Sequence, residues 1–464
     1  MCGIFAAYSH LGININMLTK VISELNHRGK DSYGISFVEK TQNTKIHRLK
    51  SLEKITKDNF DYDFQKNNIK MAITHNRYST NKQKDKKSFI NETQPLSFSN
   101  EWMAFDLAHN GNITNLNKYV ENVNSKISDT QNIMSFFNDK KNVENAIIEF
   151  INTVHCSYSI VILTNDSIYA FKDRYGYKPL CLGKMADNIC VSSEDCVEGF
   201  NKIKEILPGE IIKIDATGYK SIYNILNDSE KYTKNLQKKQ KTYQIHQSKK
   251  CVFEYIYFMN KNTTRDTQSV YEIRKNMGKK MAELEKMKIT NKNDIIVVGS
   301  PNTAVPMGIG YAEKLQLQYK QVLIKEMTCG RTFILKDQET RKKQCRKFII
   351  SDDIKNKRII LVDDSIVRGN TIQSLAKLFY KHGCKELHVR ICSPELKYTC
   401  NYGIDIPTKK ELMVNNYTIE EIEKLANITS LRYIDINSMI SAINEKGSFC
   451  SACFDGVYNK ELDW

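Results

Sequence analysis

The segment IILVDDSIVRGNT, at positions 359–371, constrains the fold more than any other part of this 464-residue chain. An apolar run ends in two adjacent acids, and a short loop rich in Ser, Gly, Asn and Thr leads into an amphipathic stretch at 371–383. A continuous apolar strand followed by a loop and a helix is typical of a parallel α/β sheet. Backbone amides that open onto a helix N-terminus form a site for an anion such as a phosphate.

The segments around this stretch repeat the alternation of strand and helix. Apolar runs at 294–299 and 386–393 predict two further strands, and apolar residues recur at helical spacing across 269–287. The second half of the chain is therefore predicted to fold as a parallel α/β sheet. A polar run at 229–250 has little periodicity and is predicted to be a linker.

The first half of the chain also mixes helical and strand patterns, and the length predicts two domains. A helical pattern covers 16–29, two apolar runs flank an Asn-Asp turn within 159–173, and a strand pattern covers 208–218. We place the first domain at 2–228 and the second at 251–464, on either side of the linker.

The net charge of +16 would suit a nucleic-acid partner. The excess lysine is diffuse, however, as in 83–87 and 229–250, and it forms no stripe with interleaved aromatic residues. Pockets for phosphorylated substrates are the simpler explanation. No apolar run reaches membrane-spanning length and the N-terminus lacks a signal-peptide pattern, so we expect a cytoplasmic protein with no nucleic-acid or membrane partner.

The acid pair and loop at 363–371 resemble the phosphoribosyl-pyrophosphate (PRPP) loop of the type I phosphoribosyltransferases. Adjacent carboxylates can accept hydrogen bonds from ribose hydroxyls and help to hold hydrated Mg²⁺. The resemblance implies one Mg²⁺ per subunit, near Asp363, Asp364 and Thr303. It implies that PRPP is bound by Asp363, Asp364, Ser365, Ile366, Val367, Arg368, Gly369, Asn370 and Thr371.

Two loops upstream also match that family's pattern. The stretch 297–312 occupies the position of the pyrophosphate loop, although Asn302 stands where such loops often carry an acid. The stretch 324–348 resembles the flexible loop that closes over PRPP, and its residues 326–328 depart from the usual basic and aromatic pattern. Cations for the pyrophosphate group would come from Lys325, Arg331, Arg341, Lys342 and Lys343.

The second residue, Cys2, suggests a different chemistry in the first domain. Once Met1 is removed, a cysteine at the N-terminus carries a nucleophilic thiol and its own base, the α-amine. The Asn110 side chain and the Gly111 N–H can form an oxyanion hole. Arg77 can bind a substrate carboxylate, and Asp129 can bind an ammonium group.

In this order, the segments 25–35, 74–80, 108–113 and 127–131 resemble the class II glutamine amidotransferases. That resemblance implies an α+β N-terminal-nucleophile fold, an αββα sandwich of two packed sheets between helical layers. It assigns catalysis to Cys2, Asn110 and Gly111. It assigns glutamine binding to Arg28, His75, Arg77, Thr80 and Asp129.

Thirteen cysteines are many for a cytosolic chain, and their odd number argues against a closed disulfide framework. The pair Cys450 and Cys453 alone could be a zinc or redox motif, and Cys251 and Cys400 could be buried apolar residues. Some relatives that combine both domains bind a [4Fe–4S] cluster. By that resemblance, one cluster per subunit would be held by Cys251, Cys400, Cys450 and Cys453.

Taken together, the chain resembles the glutamine amidotransferases that act on PRPP. The resemblance implies that glutamine, PRPP and water yield 5-phospho-β-D-ribosylamine, glutamate and pyrophosphate, with ammonia passing between two sites. It further implies feedback by purine nucleotides and a homotetramer or homodimer. Two alternatives are another class II amidotransferase and a catalytically silent relative that senses nucleotides or binds nucleic acid.

Overall fold

The computed structural model describes most of the chain. The described residues are 1–40, 45–56, 69–79, 85–113, 116–118, 127–225, 248–326, 347–351, 354–406, 408–445, 447–459 and 462. Within them, no helix combines the length and the apolar character that crossing a lipid bilayer requires.

The first domain contains thirteen strands and four α-helices among the described residues. The strands are β1 (Gly3–Ile13), β2 (Ser32–Glu39), β3 (Ile46–Ser51), β4 (Ile69–Arg77), β5 (Leu96–Ser99), β6 (Ala104–Asn112), β7 (Ser157–Leu163), β8 (Ile168–Lys172), β9 (Cys181–Met185), β10 (Asn188–Ser192), β11 (Asn201–Glu205), β12 (Glu210–Asp215) and β13 (Gly218–Asn224). The helices are α1 (Ile15–Glu24), α2 (Lys86–Asn91), α3 (Asp129–Ser135) and α4 (Val143–Thr153).

These strands form two antiparallel sheets, with orders β11-β9-β10-β1-β4-β2-β3 and β13-β12-β8-β7-β6-β5. Alternate residues of β1 point to opposite faces of its sheet. Phe5 packs in the layer that contains α1, whereas Ile4 packs between the sheets in the layer that contains Val161 of β7. Helix α4 covers the other sheet through Phe150. The predicted αββα sandwich is confirmed.

The second domain contains eleven strands and six α-helices among the described residues. The strands are β14 (Lys249–Cys251), β15 (Thr264–Arg265), β16 (Gln268–Ser269), β17 (Ile295–Gly299), β18 (Gln318–Tyr319), β19 (Leu323–Glu326), β20 (Lys347–Ile350), β21 (Arg358–Asp363), β22 (Glu386–Ile391), β23 (Ser430–Tyr433) and β24 (Ser448–Cys450). The helices are α5 (Val270–Glu283), α6 (Val305–Leu315), α7 (Asn370–Lys381), α8 (Ile419–Ala426), α9 (Ile436–Ile443) and α10 (Ala452–Asp455).

The main sheet of this domain has the order β18-β17-β21-β22-β23, and every pairing in it is parallel. Val297 of β17 packs toward α5 and α6, and Val298 packs toward α7 on the opposite face. Both faces of the sheet are therefore covered, which explains why its strands read as continuous apolar runs. The predicted parallel α/β domain is confirmed.

The two domains are connected through strand β14, which pairs in parallel with β24 near the C-terminus. The N–H groups of Lys249 and Cys251 donate to carbonyl groups of the first domain, at Tyr175 (2.8 Å) and Tyr177 (3.4 Å). Residues 249 and 250, assigned to the linker from sequence, belong to this strand. Most of the remaining linker, 229–247, lies outside the described residues.

Candidate functional site

Cys2 lies immediately before β1, beside the end of β6. Its N–H donates to Oδ1 of Asn110 at 3.1 Å, and its Sγ lies 3.9 Å from the carbonyl oxygen of Tyr78. The Cys2 carbonyl accepts from Nε of Arg28 at 2.9 Å. The structure thus brings the predicted nucleophile to the predicted oxyanion residue, although 108 positions separate them in sequence.

The Asn110 amide has the free donor that an oxyanion hole needs. Its Nδ2 is buried and has no hydrogen-bond partner among the described residues. An unpartnered buried donor is costly unless a ligand satisfies it. Gly111 follows in β6, and a Cβ there would lie 2.7 Å from Cα of Tyr158 and 2.8 Å from Nε2 of His109. Only glycine fits at this position without displacement of the neighbouring strand.

His75, a predicted glutamine-binding residue, lies inside the first domain. The side chain is fully buried in β4, and its Nε2 lies 3.1 Å from the carbonyl oxygen of His109. Burial lowers the pKa of His75 to about 3, so the ring is neutral at physiological pH. Its Nδ1 is buried and has no hydrogen-bond partner among the described residues. The contact of His75 with glutamine stays a prediction, and the observed Nε2 contact places the ring between β4 and β6.

Arg28 differs from its predicted contact with glutamine. Its guanidinium donates to Glu194 and, at 3.0 and 3.1 Å, to both oxygens of Glu254. All three side chains are essentially buried. With Nε bound to the Cys2 carbonyl, most of the Arg28 donors are already used. Arg28 is better described as the residue that ties the nucleophile to Glu254 of the second domain.

Arg77 and Asp129 remain candidates for the two charged ends of glutamine. Arg77 donates to the carbonyl of Phe89 at 3.0 Å and to Oε2 of Glu92 at 2.7 Å, and its guanidinium lies over the Phe89 ring. The Asp129 side chain, at the start of α3, is one-third exposed and lies 3.7 Å from Nδ1 of His109. Thr80, the remaining predicted contact, lies outside the described residues.

The predicted phosphate loop follows β21 and ends at the N-terminus of α7. Gly369 adopts a left-handed conformation (φ 78°), and no side chain caps the helix. The first amides of α7 are therefore available to an anion. A Cβ on Gly369 would collide with the Met413 side chain, and the Met413 N–H donates to the carbonyl of Val367 at 2.9 Å. Met413, which was not among the predicted PRPP residues, thus supports the loop.

The acid pair lies at the end of β21, as predicted. Oδ1 of Asp363 accepts the Asp364 N–H at 2.9 Å, and Oδ1 of Asp364 accepts from Oγ of Ser365 at 2.7 Å. Burial and mutual repulsion raise the pKa of Asp363, and burial raises that of Asp364. Ionising both buried carboxylates is costly, and a bound cation offsets that cost. The acid pair therefore fits a Mg²⁺ site.

The structure also describes the predicted residues Thr303 and Lys325. Ser300 begins the turn that contains Thr303, and its N–H donates to the carbonyl of Val362 at 2.9 Å. This bond holds the predicted pyrophosphate loop against the end of β21. Lys325 acts electrostatically on Asp364. Arg331, Arg341, Lys342 and Lys343 lie outside the described residues.

The site around Cys2 and the second domain meet at the segment 400–405. Nδ2 of Asn112 donates to the carbonyl of Asn401 at 3.1 Å, and Oγ of Ser157 donates to the carbonyl of Tyr402 at 3.2 Å. The Tyr78 hydroxyl donates to Oδ2 of Asp405 at 3.5 Å. Residues next to Cys2 and Asn110 therefore contact a segment of the second domain.

The four predicted cluster cysteines lie near one another at the domain boundary. Cys251 pairs with Cys450 in the β14–β24 register, and Cys453 interacts electrostatically with the other three. Burial and these neighbours raise the pKa of the Cys453 thiol. Four neighbouring thiols cannot all ionise by themselves, because the thiolates would repel one another. A cationic centre that binds them as thiolates removes this repulsion, so the four cysteines fit such a centre.

The spacing of these sulfurs argues against zinc. In a tetrahedral Zn–Cys₄ site the sulfurs lie about 3.8 Å apart. In the described part of the chain, no three of the four cysteine sulfurs all lie within 4.8 Å of one another. A four-iron cluster occupies the space between its ligands and spreads them more widely. The described sulfurs therefore do not form the compact group that a single zinc ion needs.

One other group of metal-ligating side chains stands out among the described residues: His27, Glu194 and Cys196. Both oxygens of the Glu194 carboxylate already have hydrogen-bond partners. Oε1 of Glu194 contacts His27 and Arg28, and Oε2 accepts from the Asn260 N–H at 2.7 Å and from Thr263. The hydrogen bonds explain this group without a metal.

Several site residues were not predicted from sequence. Glu254 pairs with Arg28, and Glu92 pairs with Arg77. Oε1 of Gln94 accepts the His109 N–H at 2.6 Å, one residue before Asn110. Arg274 acts electrostatically on Asp364. Gln94 lies in the loop between α2 and β5, and the local sequence there does not indicate its contact with β6.

Comparisons with known proteins agree with this two-part arrangement. Residues 75–197 match the glutamine amidotransferase domain family, and residues 267–395 match the phosphoribosyl transferase domain family. The amidophosphoribosyltransferase of Methanocaldococcus jannaschii is 32% identical, with 100% of this chain and 98% of the relative aligned. The human amidophosphoribosyltransferase is 29% identical, with 97% and 94% aligned.

Solved structures lead to the same group of proteins. The glutamine PRPP amidotransferase of B. subtilis, solved with ADP and GMP, superposes with a TM-score of 0.82. It is 29% identical in sequence, and the match covers 100% of this chain and 98% of that chain. The similarity therefore includes both domains and their relative placement.

Proposed function

Because the chain belongs to the amidophosphoribosyltransferase family, we propose that its two sites act in sequence on glutamine and PRPP. The products are glutamate, pyrophosphate and 5-phospho-β-D-ribosylamine, which enters purine biosynthesis. The observation that carries this proposal is the hydrogen bond from Cys2 to Asn110, whose Nδ2 remains unpartnered, beside a segment of the domain that holds the phosphate loop.

In the first step, the Cys2 thiol attacks the side-chain carbonyl carbon of glutamine. The α-amine freed by removal of Met1 accepts the thiol proton and returns it to the departing nitrogen. The Asn110 Nδ2 and the Gly111 N–H stabilise the oxyanion. Arg77 and Asp129 hold the α-carboxylate and the α-ammonium of the substrate. Water then hydrolyses the thioester to glutamate and regenerates Cys2.

In the second step, ammonia attacks C1 of PRPP, and the bond to the pyrophosphate oxygen breaks with inversion. Asp363 and Asp364 orient the ribose hydroxyls, and the loop from Ser365 to Thr371 holds the 5′-phosphate through its amides. Lys325 supplies positive charge beside the acid pair. Mg²⁺, held by the acid pair and Thr303, would neutralise charge on the pyrophosphate when bound.

The four cysteines would hold a [4Fe–4S] cluster with a structural role. Cys251 begins the second domain, and Cys450 and Cys453 lie near the C-terminus, so the cluster would join the two ends of this domain. Purine nucleotides are proposed as feedback inhibitors, since the B. subtilis relative was solved with ADP and GMP. A cytoplasmic homotetramer or homodimer is proposed on the same family basis.

The proposal is tested with Cys2→Ala. We expect this variant to lose glutamine-dependent pyrophosphate release but to keep synthesis from PRPP and ammonia. Cys384→Ala, at a cysteine after α7 outside both sites, serves as the matched control. Intact-mass analysis of the active enzyme should show a chain that begins at Cys2. Glutamine-dependent turnover by Cys2→Ala would contradict the assignment of the nucleophile.

A further inference from the structure

Lys178 is a fully buried lysine at the domain boundary. Among the described residues, no carboxylate lies within 4.0 Å of its Nζ. The one contact assigned to Nζ there is the thioether of Met1, at 3.2 Å. A buried ammonium without an anion is among the least favourable groups in a protein interior. The removal of Met1 proposed above would take away even this partner.

The position of Lys178 is set by the strand that carries the first cluster cysteine. The preceding residue, Tyr177, accepts the Cys251 N–H at its carbonyl oxygen. The Tyr177 ring stacks on Tyr402, with centroids 4.5 Å apart, and its hydroxyl accepts from Nδ2 of Asn459. Lys178 is therefore held against the cysteine site by both the backbone and a rigid aromatic pair.

The charge of Lys178 acts on the cysteine site as well as on the N-terminal amine of Met1 and on His109. Its ammonium interacts electrostatically with Cys251 and Cys450, which lie in register in adjacent strands. Four thiolates outweigh the positive charge of a four-iron core, so a loaded cluster is a buried anion. A buried anion and a buried cation stabilise each other strongly, because the protein interior has a low dielectric constant.

We propose that Lys178 is the internal counter-charge of the iron–sulfur cluster, a positioning residue that stabilises its anionic state. The inference rests on the cluster suggested under the proposed function. It explains why this buried cation needs no carboxylate. It also predicts that neutralising Lys178 weakens the cluster while the four ligands remain in place.

Lys178→Met removes the charge and keeps an unbranched side chain, and Lys178→Arg keeps the charge. Lys172→Met is the matched control, because Lys172 is a second buried lysine, and its charged neighbours are the carboxylates Glu205 and Asp173 and the cations Arg265 and Lys250. After anaerobic reconstitution, iron and sulfide per chain, the rate of iron loss to a chelator and the cluster reduction potential are measured. None of these readouts depends on turnover.

We expect Lys178→Met to lose iron about tenfold faster than the wild type, as for other groups that support metal ligands. Its reduction potential should be lower, because the added electron has lost a nearby cation. Lys178→Arg and Lys172→Met should resemble the wild type. Wild-type iron loss and potential in Lys178→Met would overturn the inference while leaving the cluster intact.

Two other outcomes are also decisive. A wild-type protein that binds no iron and sulfide anaerobically would refute the cluster itself, and the inference with it. Lys178→Gln serves as a second neutral variant, and circular dichroism checks its fold. If both neutral variants fail to fold even without iron, Lys178 is required by the fold rather than by the cluster, and the inference is wrong.

Discussion

Gly403 and Gly111 are in direct backbone contact across the domain boundary. A Cβ at Gly403 would lie 2.8 Å from the carbonyl carbon of Gly111 and 2.9 Å from its oxygen. Gly403 also has a positive φ of 92°. The glycine of the proposed oxyanion hole therefore has its position fixed partly by a residue of the other domain. Any shift of the segment around Gly403 acts directly on the glutaminase site.

The contact predicts that Gly403→Ala impairs glutamine hydrolysis. The new methyl group must displace Gly111, and small displacements of catalytic groups are costly. We expect kcat/KM for glutamine to fall about tenfold or more. Gly199→Ala is the matched control, because Gly199 also has a positive φ (82°) but has open space around it. Equal losses in both variants would mean that backbone strain alone is responsible.

Asn110→Asp should separate the two roles of this side chain, which are to accept the Cys2 N–H and to donate to the oxyanion. The variant keeps an oxygen that can accept the Cys2 N–H but loses the Nδ2 donor. Loss of one oxyanion donor lowers kcat by about 100- to 1,000-fold. Steady-state glutaminase assays measure this loss, and ammonia-dependent synthesis from PRPP should be unchanged. A fully active Asn110→Asp would exclude Nδ2 from the oxyanion hole.

Asp363→Asn should stabilise the ligand-free protein while abolishing PRPP turnover. Burial raises the pKa of Asp363, so the native state holds a proton that the unfolded state releases above about pH 4. The wild-type free energy of unfolding therefore falls as pH rises through the range between these two pKa values. The substituted amide side chain does not ionise, so the variant does not lose stability as pH rises. Its free energy of unfolding should exceed that of the wild type by about 1–3 kcal/mol near neutral pH.

Denaturant unfolding at about pH 5 and pH 7.5, without Mg²⁺ or PRPP, tests the Asp363 prediction. The difference between wild type and variant should grow with pH. Mg²⁺ affinity of the wild type should rise over the same range, because the metal binds the ionised carboxylates. A stability difference that stays constant with pH would show that Asp363 is ionised in the ligand-free protein.

Glu254→Gln should destabilise the protein and weaken coupling between the sites. It leaves the buried Arg28 with Glu194 as its remaining carboxylate partner. Because Glu194 still compensates the charge of Arg28, we expect a cost of about 1.5–3 kcal/mol, the range for a lost hydrogen bond between charged groups. The control is Glu283→Gln, whose exposed pairs with Lys280 and Lys314 should contribute less than about 1 kcal/mol. Thermal unfolding followed by calorimetry measures the loss of stability in Glu254→Gln and in Glu283→Gln.

The residues that the sequence predicted well belong to short, continuous segments. The strand, acid pair, loop and helix of 359–371 form because local apolar runs, turn residues and helical spacing agree there. The position of Cys2 next to the N-terminus likewise limits it to a few roles. These local signals lie in consecutive residues and can therefore be recognised in the sequence. The two domain folds follow from them.

The tertiary structure decided what the polar side chains face. His75 and Arg28 were predicted to bind glutamine; the structure buries His75 in β4 against the His109 carbonyl and pairs Arg28 with Glu254, 226 positions away. Lys178 gave no signal in the sequence, because its burial depends on how the two domains pack. Burial and pairing across such separations arise from the free energy of the whole packed chain, which no local pattern of residues contains.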